Sequence, residues 1–290
     1  MSIENHLISV IVVTYNSSKY IEKCLKSIIE YWPSNYQRKI ILIDNNSSDR
    51  TLEKVRQFRK GSVSVYCRKK NYGFAKSVNL GLKTSQESKY FLLVNPDTEV
   101  KKGSIGNMVS EIDKHNAGIC GGMTVGFDGE KLGDHFRKID INIGLFDFSN
   151  LRRLAQDDRW HKYFYYDEGK TGNATIEVDG VTGGYMMIEA KTIKEIGYLD
   201  ENFYMYLEDM DYCLRARKSG LKIIYTPKSI IRHYGGGSSE NKTRSNSLAW
   251  IHSRSYFFYK HFGLFTNLII QPVFLLDSLF ILLKDYILLI

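Results

Sequence analysis

The chain has 290 residues, 43% of them hydrophobic and 25% charged, and a formal net charge of +8. This is the composition of an ordinary globular protein with one large or two small cores. The positive charge suits an anionic partner, whether a nucleotide, a nucleic acid or a membrane surface, and a solvated basic surface explains it equally well. The four cysteines form no Cys-x-x-Cys pair, which excludes the common zinc and disulfide patterns and favours a reducing compartment.

Apolar runs of strand length alternate with helical patterns in the first 100 residues. No basic segment precedes the N-terminal apolar run, so no signal peptide is predicted. Continuous apolar, β-branched stretches predict buried parallel strands at Leu7–Thr14, Lys39–Ile43, Ser62–Cys67 and Tyr90–Val94. Apolar residues at helical spacing predict helices at Lys19–Tyr31, Asp49–Arg59 and Phe74–Leu82. This alternation predicts an α/β fold with a mostly parallel sheet and helices on both faces.

The pattern is less regular after Asp97. The predicted helices are Ser104–Lys114 and Leu207–Lys218, and the predicted strands are Gly118–Val125, Ile176–Asp179, Tyr185–Ile188 and Lys222–Tyr225. Residues 128–175 give no assignment, and the glycines and serines of Gly235–Ser239 predict a flexible loop. Two apolar-aromatic helices close the chain, at Ser247–His261 and Leu264–Ile290.

Polar residues follow each apolar strand of the first half. The four groups are Thr14-Tyr15-Asn16, Asp44-Asn45-Asn46-Ser47, Asn71-Tyr72-Gly73-Phe74 and Asn95-Pro96-Asp97. In a parallel sheet these ends meet at one edge, where open α/β sheets bind their ligands. A base can stack on Tyr15, a carboxylate such as Asp44 can accept from a pyrimidine N3–H, and the loop before Phe74 leads into a helix N-terminus that attracts anions. Each residue alone fits a turn or helix cap better, whereas all four groups together are unlikely by accident.

Pro96 should end the fourth strand and leave Asp97 at its carboxyl end. A carboxylate there can hold a divalent cation, which in turn can hold a phosphate, and an ordinary turn explains the motif equally well. His233 follows another strand and could be a second metal ligand, although a lone histidine is more often structural.

The segment Phe203–Arg215 carries a cluster of acids. On a helix, Glu208, Asp211 and Arg215 share one side, while Asp209 lies near the helix start, where a raised pKa would suit a general base. A solvated acidic face with an Asp211–Arg215 ion pair fits equally well. The chain has neither G-x-G-x-x-G after its first strand nor G-x-x-x-x-G-K-[ST], which argues against a dinucleotide oxidoreductase and a P-loop NTPase.

Taken in order, these motifs resemble family 2 glycosyltransferases of the GT-A fold, in their bacterial rhamnosyltransferase-like branch. The resemblance covers about Ser9 to Gly263. The motifs that carry it are VIVVTYNS at Val10, ILIDNNSSDRT at Ile41, NYGFAKSVNLG at Asn71, LLVNPDTEV at Leu92, VDGVTGGYMMI at Val178, LDENFYMYLEDMDYCLRARKSG at Leu199 and HYGGGSS at His233. The ordered set is specific, whereas no single member is.

The resemblance implies a nucleotide site and a metal site. The nucleotide site would comprise Thr14, Tyr15, Asn16, Asp44, Asn71, Gly73 and Asn95. Asp97 and His233 would hold a divalent cation, Mg²⁺ or Mn²⁺. Asn95 replaces the acidic first residue of the family's D-x-D motif, which removes one negative charge and could lower metal affinity.

The resemblance also implies the residues that act on the sugar. Asp209 matches the acid of the family's E-D motif, the proposed base, with Glu208 as the alternate. Gly183 and Gly184 would let the backbone approach the donor sugar. In the glycine-rich loop at 235–244, Lys242 and Arg244 could close over the pyrophosphate, and a plain surface connection is the alternative.

The implied function is inverting transfer of a sugar, rhamnose by analogy with the branch, from a dTDP- or UDP-sugar to a glycan or glycolipid acceptor of a bacterial surface polysaccharide such as O-antigen. Residues 1–100 would bind the nucleotide sugar, 101–240 would bind the acceptor and carry catalysis, and 241–290 would form membrane-associated helices. No nucleic-acid partner is expected, and a homodimer is compatible with the pattern. The alternatives are a non-catalytic nucleotide-sugar scaffold and a sugar nucleotidyltransferase. The second would carry a Gly-rich basic loop after the first strand, where this chain reads TYNSSKY.

The last helix has an amphipathic pattern with Pro272 as a predicted kink. Its charges interrupt a spanning segment, which favours peripheral attachment to a membrane surface. The implied lipid-linked acceptor would be presented at the cytoplasmic face of the inner membrane, so attachment is expected there. Arg254, Lys260 and His261 could attract anionic lipid. The alternative is packing against the catalytic domain or a dimer partner. The residues predicted to share the polar side are Asn267, Gln271, Asp277, Ser278, Lys284 and Asp285.

Overall fold

The computed structural model describes residues 6–58, 63–126, 128–151, 163–164, 172–234 and 244–287. The first half forms a parallel sheet in the order β3-β2-β1-β4, as the apolar runs predicted. Thr14 lies opposite Asp44, so the carboxyl ends of two central strands are level. The strands are β1 (Leu7–Thr14), β2 (Gln37–Asp44), β3 (Val63–Cys67) and β4 (Tyr90–Val94).

Helices cover both faces of this sheet, which explains the continuous apolar runs. Along β1, Val10 and Val12 belong to the core beneath one face and Ile11 to the core beneath the other, because successive strand residues point in opposite directions. The first core includes α1 and α4, and the second includes α3. The helices are α1 (Ile21–Glu30), α2 (Thr51–Val55), α3 (Phe74–Lys83) and α4 (Ser104–His115). The predicted α/β class with helices on both faces is confirmed.

The sheet continues into the second half of the chain, where β11 lies antiparallel between β4 and β6. Beyond β6 come β12, parallel to it, and β5, antiparallel to β12. The strands are β5 (Thr98–Val100), β6 (Ile119–Val125), β7 (Lys131–Leu132), β8 (His135–Phe136), β9 (Ile176–Glu177), β10 (Gly180–Val181), β11 (Tyr185–Glu189) and β12 (Ile223–His233). One sheet spans both proposed halves, whose separate roles stay a prediction.

The prediction for β12 was wrong at its end. The strand was expected to stop at Tyr225, but it runs to His233. Pro227 caused the error, because proline cannot donate to a sheet ladder; here it lies where the register between β12 and β6 shifts, between Thr226 and Ile230. The short strand β5 and the helix α5 (Ala190–Ile196) were not predicted.

The last helices are α6 (Glu208–Lys218), α7 (Arg244–His261) and α8 (Leu264–Ile287), with Pro272 inside α8. A buried ion pair joins α7 to α8: Arg254, which is fully buried, donates to Asp277 and to the hydroxyl of Ser278 (2.8 Å). Among the described residues, one helix, Leu264–Lys284, is long and apolar enough to cross a membrane by length and composition, and 17% of it is buried.

Asn267, Gln271, Asp277 and Ser278 of α8 bond within the protein, contrary to the lipid-surface pattern. Asn267 donates to the Phe258 carbonyl (3.1 Å), and Gln271 donates to the Ser255 carbonyl (3.0 Å). The three cations expected to attract lipid are also engaged within the protein: Arg254 with Asp277, and Lys260 and His261 with Asp211. Apart from the exposed Lys284, the large exposed side chains of α8 are apolar instead. They are Leu264, Phe265, Leu268, Ile269, Leu275, Leu276, Leu279, Phe280 and Leu283.

Candidate active site

The first two strand ends are locked together by the Asp44 carboxylate. Its Oδ1 accepts from the hydroxyls of Thr14 (2.9 Å) and Ser47 (2.6 Å), and its Oδ2 accepts from the Ser47 N–H (2.9 Å). Asp44 is fully buried. Its described contacts shape the loop after β2, and its predicted bond to a pyrimidine stays a prediction.

Asn16 connects the same loop to the end of β1. Its Oδ1 accepts from the Ser48 N–H (2.8 Å), and its own N–H donates to the Ser47 hydroxyl (2.9 Å). Asn16 and Asn46 have φ values of 52° and 66°, in the left-handed region that asparagine tolerates better than most residues. Tyr15, beside this connection, is 44% exposed, so its ring is accessible to a ligand.

The loop before α3 packs closely on a segment of the second half. Gly73 has φ 84°, and a Cβ there would lie 2.2 Å from the Tyr204 carbonyl oxygen, so only glycine fits. The Phe74 N–H donates to that same oxygen (2.8 Å), and the Gly73 N–H donates to Asn71 Oδ1 (2.9 Å). Two N–H groups at this helix start are therefore already bonded. Asn45 also holds the loop, because its side-chain amide donates to the Gly73 carbonyl (3.1 Å).

The sheet brings Asp97 and His233 together. Thr98 lies opposite His233 across β5 and β12, and His233 Nε2 lies 3.1 Å from Asp97 Oδ2. This is a hydrogen-bond distance, and a carboxylate and an imidazole are both ligands for divalent cations, so a cation bound here would replace the proton they share. The hydrogen bond to Asp97 raises the pKa of His233. Among the described residues there is no cluster of three or more His, Cys, Asp or Glu side chains suited to a metal, so phosphate and water would complete the coordination.

Gly183 and Gly184 lie between the end of β4 and the first turn of α6. The Gly183 N–H donates to Asp209 Oδ2 (2.7 Å), and the Asn95 N–H donates to the Gly184 carbonyl (2.9 Å). A Cβ on Gly183 would lie 3.2 Å from Asp209 Cβ, and one on Gly184 would lie 3.0 Å from Asn95 Nδ2. The glycines therefore leave space for these two side chains, and their approach to a donor sugar stays a prediction.

Glu208 and Asp209 begin α6 after a strained connection. Tyr206 and Leu207 have φ values of 74° and 66°, which are rare for such bulky residues and are found mainly at functional sites. Burial and the neighbouring Asp209 raise the pKa of Glu208 to about 8, and within the described part of the chain Glu208 Oε2 has no hydrogen-bond partner. Burial also raises the pKa of Asp209, against two backbone N–H donors, Gly183 and Met210, that favour its charged form.

Asp211 ties this first turn of α6 to the end of α7. It is fully buried and accepts from Arg215 Nε (2.9 Å), Lys260 Nζ (2.5 Å) and His261 Nε2 (2.7 Å). Lys260 also donates to Asp200 (2.6 Å). The sequence predicted the Asp211–Arg215 pair but not the two contacts from α7, because these join residues about 50 positions apart.

A cleft of about 800 Å³ contains most of these groups. Its lining includes Asn95, Asp97, His233, Gly183, Gly184, Glu208 and Asp209. Tyr206, Trp250 and Ile281 of α8 line the same cleft. The structure thus brings the predicted metal, glycine and acid residues into one space.

Residues 9–197 match the family model for glycosyl transferase family 2. The chain belongs to glycosyl transferase family 2. This match confirms the resemblance drawn from the motifs, although it ends before Glu208, so the assignment of the acids rests on the geometry and on the E-D motif.

Two curated relatives show what such chains do elsewhere. A dolichyl N-acetyl-α-D-glucosaminyl phosphate 3-β-D-2,3-diacetamido-2,3-dideoxy-β-D-glucuronosyltransferase of Methanococcus voltae is 25% identical over 84% of this chain and 72% of its own length. The rhamnosyltransferase WbbL of Escherichia coli K12 is 23% identical over 79% of this chain and 83% of its own.

Among solved structures, GalNAc-T7 with UDP, GalNAc and Mn²⁺ superposes with a TM-score of 0.64 at 17% identity. The match covers 88% of this chain and 50% of that one, so this family 2 chain spans about half the length of that protein. At this identity the similarity establishes the fold, and the predicted GT-A architecture is confirmed.

Some site residues of this family 2 chain were not predicted individually. Asn45 and Ser47 appeared only as members of a turn motif, and Tyr204 and Trp250 carried no signal, since their roles depend on contacts between distant segments. Of the predicted loop residues, Lys242 lies outside the described residues. For Arg244 the structure describes the backbone, which begins α7.

Proposed function

We propose that this family 2 glycosyltransferase transfers a sugar with inversion from a nucleoside diphosphate sugar to a glycan hydroxyl, with Asp209 as the general base. The single observation that carries the proposal is the position of Asp209. Its carboxylate accepts a hydrogen bond from the Gly183 N–H and lines the same cleft as Gly183 and Gly184. Burial and the neighbouring Asp209 raise the pKa of Glu208 to about 8 and so favour its neutral form, whereas the N–H donors of Gly183 and Met210 favour the charged form of Asp209 that a base needs.

In the proposed reaction, the acceptor oxygen forms a bond to the anomeric carbon and its proton passes to Asp209. The bond between that carbon and the phosphate oxygen breaks, and the nucleoside diphosphate leaves from the opposite face. The two N–H donors of Gly183 and Met210 fix the Asp209 carboxylate, so the base needs no reorganisation when the acceptor arrives.

Asp97 and His233 are the residues that would hold a divalent cation, Mg²⁺ or Mn²⁺. Their 3.1 Å separation supports this role. A cation there would neutralise charge on the leaving diphosphate. Asn95, where the family motif has an acid, lies against Gly184, where its side-chain amide could contact the donor sugar.

The donor and acceptor classes are proposed from the relatives. WbbL is named a rhamnosyltransferase, and the Methanococcus voltae protein is named for a dolichyl phosphate-linked acceptor. GalNAc-T7 was solved with UDP. We propose a dTDP- or UDP-sugar donor, with rhamnose as the first sugar to test, and a lipid-linked glycan acceptor.

The test of the catalytic assignment compares Asp209→Asn with wild-type protein. The variant should bind UDP or dTDP with Mn²⁺ as wild type does and should lose roughly 10²–10⁴-fold in transfer rate, because it lacks a base. Binding is measured by calorimetry and transfer by nucleoside diphosphate release across a panel of nucleotide sugars. Wild-type turnover in Asp209→Asn together with an inactive Glu208→Gln would transfer the role to Glu208.

We further propose that α8 rests on the cytoplasmic face of the inner membrane. Its outward side is a continuous apolar surface, with Phe265, Leu276 and Leu283 exposed by 84%, 69% and 62%. Such a surface suits the boundary between lipid headgroups and acyl chains, where a lipid-linked acceptor is presented. The attraction is apolar, since the cations named from the sequence bind within the protein.

A triple variant, Leu268→Gln with Leu276→Gln and Phe280→Gln, should abolish flotation with vesicles of bacterial lipid and leave nucleotide binding intact. Leu248→Gln removes an exposed apolar side chain from α7 and is the matched control. If the triple variant floats like wild type, the membrane proposal is wrong. If it instead converts a dimer to a monomer, the face is an interface between copies.

A further inference from the structure

The lining of the cleft includes an aromatic cluster besides the groups that would act on the donor. The residues of this part of the lining are Phe148, Tyr206 and Trp250, with Ile281 of α8. Tyr206, Trp250 and Ile281 lie outside the segment that matches the family model, which ends at residue 197. Three of these four lining residues therefore come from outside the matched segment, whereas Phe148 lies within it.

Trp250 is held by two other rings. Its centroid lies 5.4 Å from that of Phe148 and 5.9 Å from that of Tyr206, with edge-to-face angles of 72° and 85°. Such arrangements add to packing energy and restrict the indole. Tyr206 is also two residues before Glu208, so the aromatic cluster is connected directly to the catalytic turn.

Glu208 contributes a polar group to the same space. The side chain is 94% buried and lines the cleft, yet its Oε2 has no hydrogen-bond partner among the residues that the structure describes. A buried polar atom without a partner is costly, and a bound ligand commonly supplies the missing contact. An aromatic ring and such a polar group in the lining of one cleft match the chemistry of a sugar, which has an apolar C–H face and hydroxyls at its edge.

We propose that Trp250 forms a binding platform for the terminal sugar ring of the acceptor and that Glu208 Oε2 bonds one of its hydroxyls. The inference rests on the proposed glycosyl transfer and names the acceptor subsite of the same cleft. It also explains the position of α8: Ile281 lines the cleft, whereas its neighbours Phe280 and Leu283 form the outward apolar face. A glycan on a lipid carrier would enter the cleft beside the helix that contacts the membrane.

The test uses methyl glycosides of glucose, galactose, rhamnose and N-acetylglucosamine, titrated by saturation-transfer NMR in the presence of UDP and Mn²⁺. Trp250→Leu should weaken glycoside binding by up to roughly tenfold, the equivalent of a lost aromatic contact, and leave UDP affinity unchanged. Trp250→Phe, which keeps a ring, should restore most of the affinity. Trp32→Leu removes an indole outside the cleft lining and is the matched control.

Three results would overturn the inference. If Trp250→Leu binds glycosides as tightly as wild type does, Trp250 is not a binding platform. If wild-type protein binds UDP but no glycoside, the cleft has no acceptor subsite. Parallel loss of UDP and glycoside binding, with a lowered melting temperature in Trp250→Leu and Trp250→Phe alike, would show that Trp250 is structural. Failure of wild type to bind any nucleotide would instead contradict the proposed function itself.

Discussion

The strongest prediction concerns the pH dependence of stability that Glu208 imposes. Burial and the adjacent Asp209 raise its pKa from the ordinary 4.5 to about 8. Because the folded pKa lies above the unfolded one, the unfolded state releases this proton first, and folding becomes less favourable as pH rises from about 4.5. The loss levels off above about pH 8, where both states are ionised.

The size of the effect follows from the two pKa values. Each tenfold difference in proton affinity is worth about 1.4 kcal/mol, so the cost of the buried carboxyl is roughly 2 kcal/mol at pH 6 and roughly 5 kcal/mol at pH 9. The ionisation of Glu208 should therefore lower the free energy of unfolding of wild type by roughly 3 kcal/mol between pH 6 and pH 9. Glu208→Gln cannot ionise and should not show that loss.

The assay is urea unfolding of wild type and Glu208→Gln at pH 6, 7, 8 and 9, because the difference between the two curves cancels the titration of distant groups and leaves that of Glu208 and the adjacent Asp209. Glu195→Gln, which removes an exposed carboxylate from α5, controls for the change in net charge. The free energy of unfolding of Glu208→Gln should rise steadily relative to that of wild type up to about pH 8. Parallel curves from pH 6 to 9 would refute the reasoning, since Glu208 would then be ionised at little cost.

Three further predictions test other parts of the site. Gly183→Ala places a Cβ 3.2 Å from that of Asp209 and should lower kcat by roughly 10–10²-fold with nucleotide affinity unchanged, measured by steady-state kinetics and calorimetry. Asp97→Ala should remove the part of UDP or dTDP affinity that depends on Mn²⁺, and EDTA should then have no further effect; wild-type affinity that is insensitive to EDTA would contradict the metal site. Asp277→Asn leaves the buried Arg254 without a charged partner and should cost about 3–5 kcal/mol in urea unfolding, whereas unchanged stability would show that water reaches this pair.

The first half of the fold was predictable because its strands are buried on both faces. A strand such as Leu7–Thr14 then has a continuous apolar run that ends where the sheet ends, and the polar residues after it necessarily lie at the sheet edge. The approach of Asp97 to His233 depended on more than this pattern. It required β12 to run past Pro227 at a register shift, which a sequence cannot distinguish from a strand end.

The orientation of α8 shows a different limit of sequence reasoning. Helical periodicity correctly placed Asn267, Gln271 and Asp277 on one side, but periodicity states only which residues share a side and not what that side contacts. Here the side faces α7, because the buried guanidinium of Arg254 needs the carboxylate of Asp277. The apolar residues on the opposite side of α8 are therefore exposed, whereas a helix in a soluble protein core buries its apolar side.

This arrangement affects how the membrane proposal can be tested. Removing Leu264–Ile290 would detach the lipid-facing surface, but it would also strip Arg254 of its partner and loosen the end of α7. That end carries Lys260 and His261, which hold Asp211 in the first turn of α6, two residues from the base. A truncated protein that neither binds vesicles nor transfers sugar would therefore not separate lost attachment from a displaced Asp209. Substitutions confined to the outward face leave both buried connections intact, so they isolate the contribution of the membrane.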